Sequence, residues 1–130
     1  MDDPGRRSVV VGVVGPCGAG KSTLIAGLAR HGVQGRHIAQ EHSYVQHMWR
    51  HMVHPDLLIY LGASFTTCTR RRRLSWLETD YDEQIRRLDH AREHANLVIE
   101  TDDIPAEAVL ERAMAFLNDR GAIVPPDQSS

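Results

Sequence analysis

The apolar positions of this 130-residue chain fall into short runs and helical stripes that alternate from one end to the other. Residues 8–14 (SVVVGVV) are β-branched and almost wholly apolar, the pattern of a strand buried on both faces of a parallel sheet. After the glycine-rich GPCGAGKST, Leu24, Ile25, Leu28 and Ala29 recur at helical spacing over residues 22–30, and His31-Gly32 supplies a stop. Residues 35–40 (GRHIAQ) read as a weaker, shorter strand. Tyr44, Val45, Met48, Trp49 and Met52 predict an amphipathic helix over residues 44–52, with Ser43 as its cap.

His54-Pro55-Asp56 breaks that helix, and residues 57–61 (LLIYL) form a second strongly buried strand. A helix over residues 64–74 ends in four consecutive arginines. Thr79 and Asp82 open the next helix as a capping box, with Tyr81, Ile85, Leu88 and Ala95 on one side. Residues 96–100 (NLVIE) are a further strand. Asp103 and Pro105 start a last helix that turns Val109, Leu110, Ala113, Met114 and Leu117 inward and stops at Gly121. Strands alternating with helices predict an α/β domain, a parallel sheet of about four strands flanked by helices. It spans residues 8–121, between a flexible N-terminus (1–7) and a flexible tail (122–130).

Composition changes this picture little: 42% hydrophobic and 25% charged residues are ordinary for one globular domain. A net charge of −2 supplies no field toward nucleic acid or membrane, so neither is expected as a partner. No apolar stretch approaches the roughly 20 residues of a membrane span and nothing resembles a signal peptide, so a cytoplasmic location is expected. Cys17 and Cys68 are too few for a disulfide framework and read as reduced thiols. The basic residues are lopsided, with fourteen arginines and one lysine, Lys21. Where arginine has replaced lysine nearly everywhere, the surviving lysine marks a place for a compact ammonium rather than a planar guanidinium.

That place is inside a motif. Gly15, Pro16, Cys17, Gly18, Ala19, Gly20, Lys21 and Ser22 match G-x-x-x-x-G-K-[ST] at every fixed position, after a buried strand and before an amphipathic helix. Glycines let successive backbone N–H groups curl around phosphates, and the helix N-terminus adds its free N–H groups and dipole. Lys21 is expected to reach the β- and γ-phosphates, Ser22 to join a Mg2+ shell, and Thr23 to complete the contact surface. Cys17 occupies a free position where only its N–H is used.

A carboxylate is needed near the metal or the attacking group, and ligands of such sheets sit beyond the carboxyl ends of the strands. Glu41 follows the second strand and is the first choice, as base toward a substrate hydroxyl or as a water-mediated Mg2+ ligand. Glu100 and Asp102 are the reserves; Asp56 precedes its strand and is discounted. The run Arg70-Arg71-Arg72-Arg73 offers fork-shaped donors to neutralise charge during transfer, with Arg70 and Arg73 the chosen catalytic pair. The pairs His47/His51 and His90/His94 have i, i+4 spacing but no accompanying ligand cluster, and read as polar-face histidines. His42 beside Glu41 is a candidate group near substrate. Tyr44 and Trp49 read as core, with base stacking as the alternative.

VVVGVVGPCGAGKSTL, HPDLLIYLGAS and the arginine-rich segment together resemble the small P-loop kinases, the nucleoside, nucleotide and shikimate-kinase-like enzymes. The resemblance spans about residues 8–118, and only the glycine-rich loop is highly specific. It implies a three-layer P-loop NTPase fold, ATP and Mg2+ as cofactors, a mobile arginine lid at residues 70–73, and Glu41 contacting a substrate hydroxyl. Two departures stand out: Gly62 replaces the family's usual aspartate, and the interval from Glu41 to Pro55 is short. The expected activity is transfer of the ATP γ-phosphate to a small hydroxyl-bearing acceptor. A nucleotide-dependent switch or ATPase, or a catalytically decayed binding module, is the alternative. The absence of D-x-x-G and N-K-x-D motifs favours ATP over GTP. The oligomeric state stays open between monomer and homodimer.

Overall fold

The computed structural model describes residues 9–122. The expected flexible N-terminus, residues 1–7, and all of the expected tail (122–130) except Ala122 lie outside them. The chain runs β1 (Val10–Val14), α1 (Lys21–Arg30), β2 (Gln34–His37), a 3-10 turn (Gln40–His42) and α2 (Met48–Met52). It continues with β3 (Leu57–Gly62), α3 (Phe65–Arg72), α4 (Glu78–Arg87), α5 (Asp89–His94), β4 (Leu97–Glu100) and α6 (Ala106–Asp119).

The four strands form one parallel sheet in the order β2-β1-β3-β4. Strand alternation divides the core between its faces. Val11, Val13, Ile59 and Leu61 point to one face and pack with Leu24 and Leu28 of α1 and Val109, Ala113 and Leu117 of α6. Val14, Leu58 and Tyr60 point to the other and pack with Ile38, Trp49, Leu88 and Ala91. The α/β class, the four parallel strands and the flanking helices thus agree with the hydrophobic pattern. Among the described residues, no helix is long and apolar enough to cross a membrane.

Several boundaries differ. The second strand ends at His37, and Gln40 enters the 3-10 turn instead. The helix expected over residues 44–52 is only Met48–Met52, and Tyr44 is 82% exposed. Its first part is drawn away by side chains: Ser43 Oγ accepts from the Val45 N–H at 3.1 Å, and Gln40 Nε2 donates to the Val45 carbonyl at 2.8 Å. The fourth helix begins at Glu78, its entry fixed by the Leu77 N–H donating to Asp80 Oδ2 at 2.9 Å, so Asp80 rather than Asp82 completes the start. The long helix that follows is two, α4 and α5, divided at Leu88. Ser64 caps α3, accepting from the Thr67 N–H at 3.2 Å.

Candidate functional site

β1 delivers the chain into the 15–20 loop, whose glycines adopt backbone angles that side chains resist. Gly18 and Gly20 have φ of 90° and 102°. A Cβ on Gly18 would lie 2.8 Å from both Cα and the carbonyl oxygen of Cys68, so the loop meets α3 at a distance that only glycine allows. α1 then starts at Lys21 with no side-chain cap and no acidic residue in its first turn. Its free N–H groups and the positive end of its dipole are left for an anion.

Lys21 is buried and turned back along the loop. Its Nζ donates to the carbonyls of Gly15 (2.5 Å) and Pro16 (3.2 Å) and to Glu41 Oε2 (2.9 Å). Glu41, carried by the 3-10 turn after β2, is only 2% exposed. Its Oε1 is buried and has no hydrogen-bond partner among the described residues. Two imidazoles flank the carboxylate: His37 Nε2 stands 3.9 Å and His42 Nε2 3.8 Å from Oε2. Burial holds the His37 pKa below its usual 6.5, and the Lys21 ammonium lowers it further against the opposing pull of Glu41.

Arg71 closes the loop from α3. Its Nη1 donates to the Gly18 carbonyl (3.2 Å) and Thr101 Oγ1 (2.9 Å), and its Nη2 to the Thr101 carbonyl (2.6 Å). Thr101, at the end of β4, is itself buried and tied to the Gly62 carbonyl at 3.0 Å. A cavity of about 520 Å³ lies between these groups; its charged walls are Lys21, Glu41, Arg71 and Arg72, with Ser22 and Thr23 beside them. A second cavity of about 310 Å³ adjoins it and shares Gly20, Thr23 and Arg71. Its walls are mostly apolar, from Leu24, Ile104, Pro105 and Val109.

The structure therefore brings Gly18, Gly20, Lys21, Ser22, Thr23 and Glu41 to one cavity, with Cys17 and His42 at its edge. The Cys17 N–H is engaged elsewhere than expected, donating to Gln84 Oε1 at 3.0 Å. Of the arginine run, Arg71 and Arg72 line the cavity, and Arg70 and Arg73 do not. Arg73 instead ends α3 in the left-handed conformation, φ 52°. Asp102 Oδ1 accepts the Ser64 N–H at 2.8 Å, a hydrogen bond that lowers its pKa. Glu100 lies opposite Gly62 in the sheet register, and its Oε2 sits 2.5 Å from where a Gly62 Cβ would be. Asp56, at the far end of β3, binds the Val10 N–H at 2.8 Å.

Sequence reasoning missed Gln40, Gln84 and Thr101, all buried polar residues. It also kept the two histidine pairs apart. The rings of His47 and His90 stand 6.2 Å apart, and those of His90 and His94 stack at 4.2 Å. Trp49 belongs to the core and donates from Nε1 to His90 Nδ1 at 3.1 Å. Tyr44 lies under the Arg87 guanidinium, 4.2 Å from ring to carbon, away from the loop cavity. No protein-family model matches the chain, and no curated protein sequence matches it significantly.

Proposed function

We propose that the chain binds a magnesium nucleoside triphosphate, ATP by preference, and transfers its γ-phosphate to a small hydroxyl-bearing acceptor, as a compact P-loop kinase-like enzyme. The observation that carries this is the pair of joined cavities: a charged one around Lys21 and Glu41, and an apolar one beside it. A nucleotide has those two halves, a polyphosphate and a flat base. The polyphosphate would lie against the N-terminus of α1, within reach of Lys21 and Arg71, with the base between Leu24, Ile104 and Pro105.

Lys21 would leave the Gly15 and Pro16 carbonyls for the phosphate oxygens, which are stronger acceptors for an ammonium. Mg2+ fits the donors present: the Ser22 hydroxyl and the Glu41 carboxylate are hard oxygen ligands, and Glu41 Oε1 has no other partner among the described residues. When bound, that ion would offset charge on the transferring phosphoryl group. Where Glu41 is not spent on the metal, it would instead accept the acceptor hydroxyl's proton, and Arg71 and Arg72 would stabilise equatorial charge.

A switch is the second reading, and the Lys21–Glu41 contact favours it. A triphosphate that draws Lys21 away also releases the 3-10 turn. That turn is joined through Gln40 Nε2 to the Arg87 carbonyl of α4 at 3.1 Å, so the change would be passed on.

The test is Mg-ATP binding and turnover with and without nucleosides, nucleotides and sugar acids. Acceptor-stimulated turnover supports the kinase. Basal hydrolysis that every acceptor leaves unchanged supports the switch, and tight binding without turnover supports a decayed module. Lys21→Ala should abolish binding, and retained binding would overturn all three.

A further inference from the structure

The charged cavity holds a second, chemically different donor set. Cys17, Glu41 and His42 each offer one ligand atom, and those atoms all lie within 4.8 Å of one another. Cys17 Sγ is 3.8 Å from His42 Nε2, which is 3.8 Å from Glu41 Oε2. In a tetrahedral zinc site, with bonds of about 2.0–2.3 Å, neighbouring donor atoms stand about 3.4–3.6 Å apart. A small inward movement therefore converts the observed cluster into a coordination sphere.

The same carboxylate has coordinating capacity to spare, although the oxygen 3.8 Å from His42 is Oε2, the one that Lys21 holds. Glu41 Oε2 is held by Lys21, and the buried Oε1 has no partner among the described residues. A buried carboxylate oxygen in that state is costly, and a dication answers it directly.

We propose that Cys17, Glu41 and His42 form a binding site for a thiophilic divalent cation, Zn2+ in the first instance, with the fourth position open to water. The donors decide the class of ion. A thiolate and an imidazole select zinc over magnesium, which prefers oxygen ligands and keeps its waters. On binding, the Cys17 thiol loses its proton to solvent, the sulfur lone pair forms the metal bond, and no oxidation occurs. This site does not rest on the nucleotide reading. If both hold, Zn2+ and Mg-triphosphate share Glu41 and exclude one another, so free zinc would act as a brake.

The experiment is titration of the metal-free full chain with Zn2+, and separately with Co2+, in the absence of nucleotide. One equivalent of Zn2+ should bind, and Co2+ should produce a thiolate-to-metal charge-transfer band in the near ultraviolet. Cys17 and His42 are not core residues, so Cys17→Ser and His42→Ala test the site without endangering the fold. Cys17→Ser should abolish the band, and each variant should weaken Zn2+ binding about tenfold or more. His51→Ala and His94→Ala, in the separate histidine cluster, should leave the band unchanged. Absence of Zn2+ binding, absence of the band, or undiminished Zn2+ affinity in Cys17→Ser overturns the proposal. Because no nucleotide is present, none of these outcomes bears on triphosphate binding.

Discussion

Lys21 and Glu41 form a buried ion pair at 2.9 Å, joining the first turn of α1 to the segment that follows β2. Breaking a buried pair strands one charge, which typically costs about 3–5 kcal/mol, whereas removing both charges costs far less. Lys21→Met and Glu41→Gln should each destabilise the fold strongly in urea unfolding, and the double variant should lose much less than their sum. Additive losses would show that the pair is not coupled.

The two thiols should behave oppositely. Cys68 is fully buried, and burial pushes its pKa up to about 11, so it should resist alkylation at pH 8 until the chain unfolds. Cys17 is partly exposed at the cavity edge and should react in the native state. Mg-ATP should slow that reaction. Mass spectrometry after timed labelling reads all three; native labelling of Cys68 would contradict its placement.

Within the arginine run the roles should separate by position. Arg71→Ala loses contacts to Gly18 and Thr101 and should weaken triphosphate binding about tenfold or more, while Arg70→Ala should leave it near wild type. Arg73→Gly relieves a left-handed residue and should stabilise the fold by about 1 kcal/mol. Calorimetry of each variant, with and without nucleotide, distinguishes these effects; equal binding losses at Arg70 and Arg71 would erase the distinction.

The histidine cluster should make the protein sensitive to mild acid. Burial holds the His90 pKa below 6.5, and His94, Arg50 and His47 lower it further, with Glu93 opposing. A folded-state pKa below the unfolded one means that the unfolded chain takes up the proton first. The stability is complete above pH 6.5 and is lost progressively as pH falls from there toward the folded value. Protonation also takes Nδ1 from the Trp49 N–H, so Trp49 fluorescence should change in that window. His90→Phe should flatten the stability profile below pH 6.5; an unchanged slope would assign it to other groups.

The features that the sequence displays well are those set by neighbours along the chain. β1, the glycine-rich turn and α1 each carry their own local signal, and the 15–22 loop was legible down to its single lysine. The stretch from Gln40 to Met52 was not, because Gln40 competes for backbone groups at both Val45 and Trp49, and a polar residue at 0% exposure leaves no hydrophobic trace. Arg71 was hidden for a different reason. Four adjacent arginines point in four directions until the helix phase is known. The buried Cys68 sets that phase, three residues before Arg71 and four before Arg72, and is the signal that could have found them.

Gly62 and Glu100 extend this to the sheet as a whole. The space beside Gly62 on β3 is filled by the Glu100 carboxylate, rooted on β4 directly across the ladder. Position in a parallel sheet has two coordinates, the strand and the row. Two residues in one row share a place in the molecule although some forty positions separate them in the chain. Patterns read along the polypeptide miss that neighbourhood, whereas patterns read along rows display it.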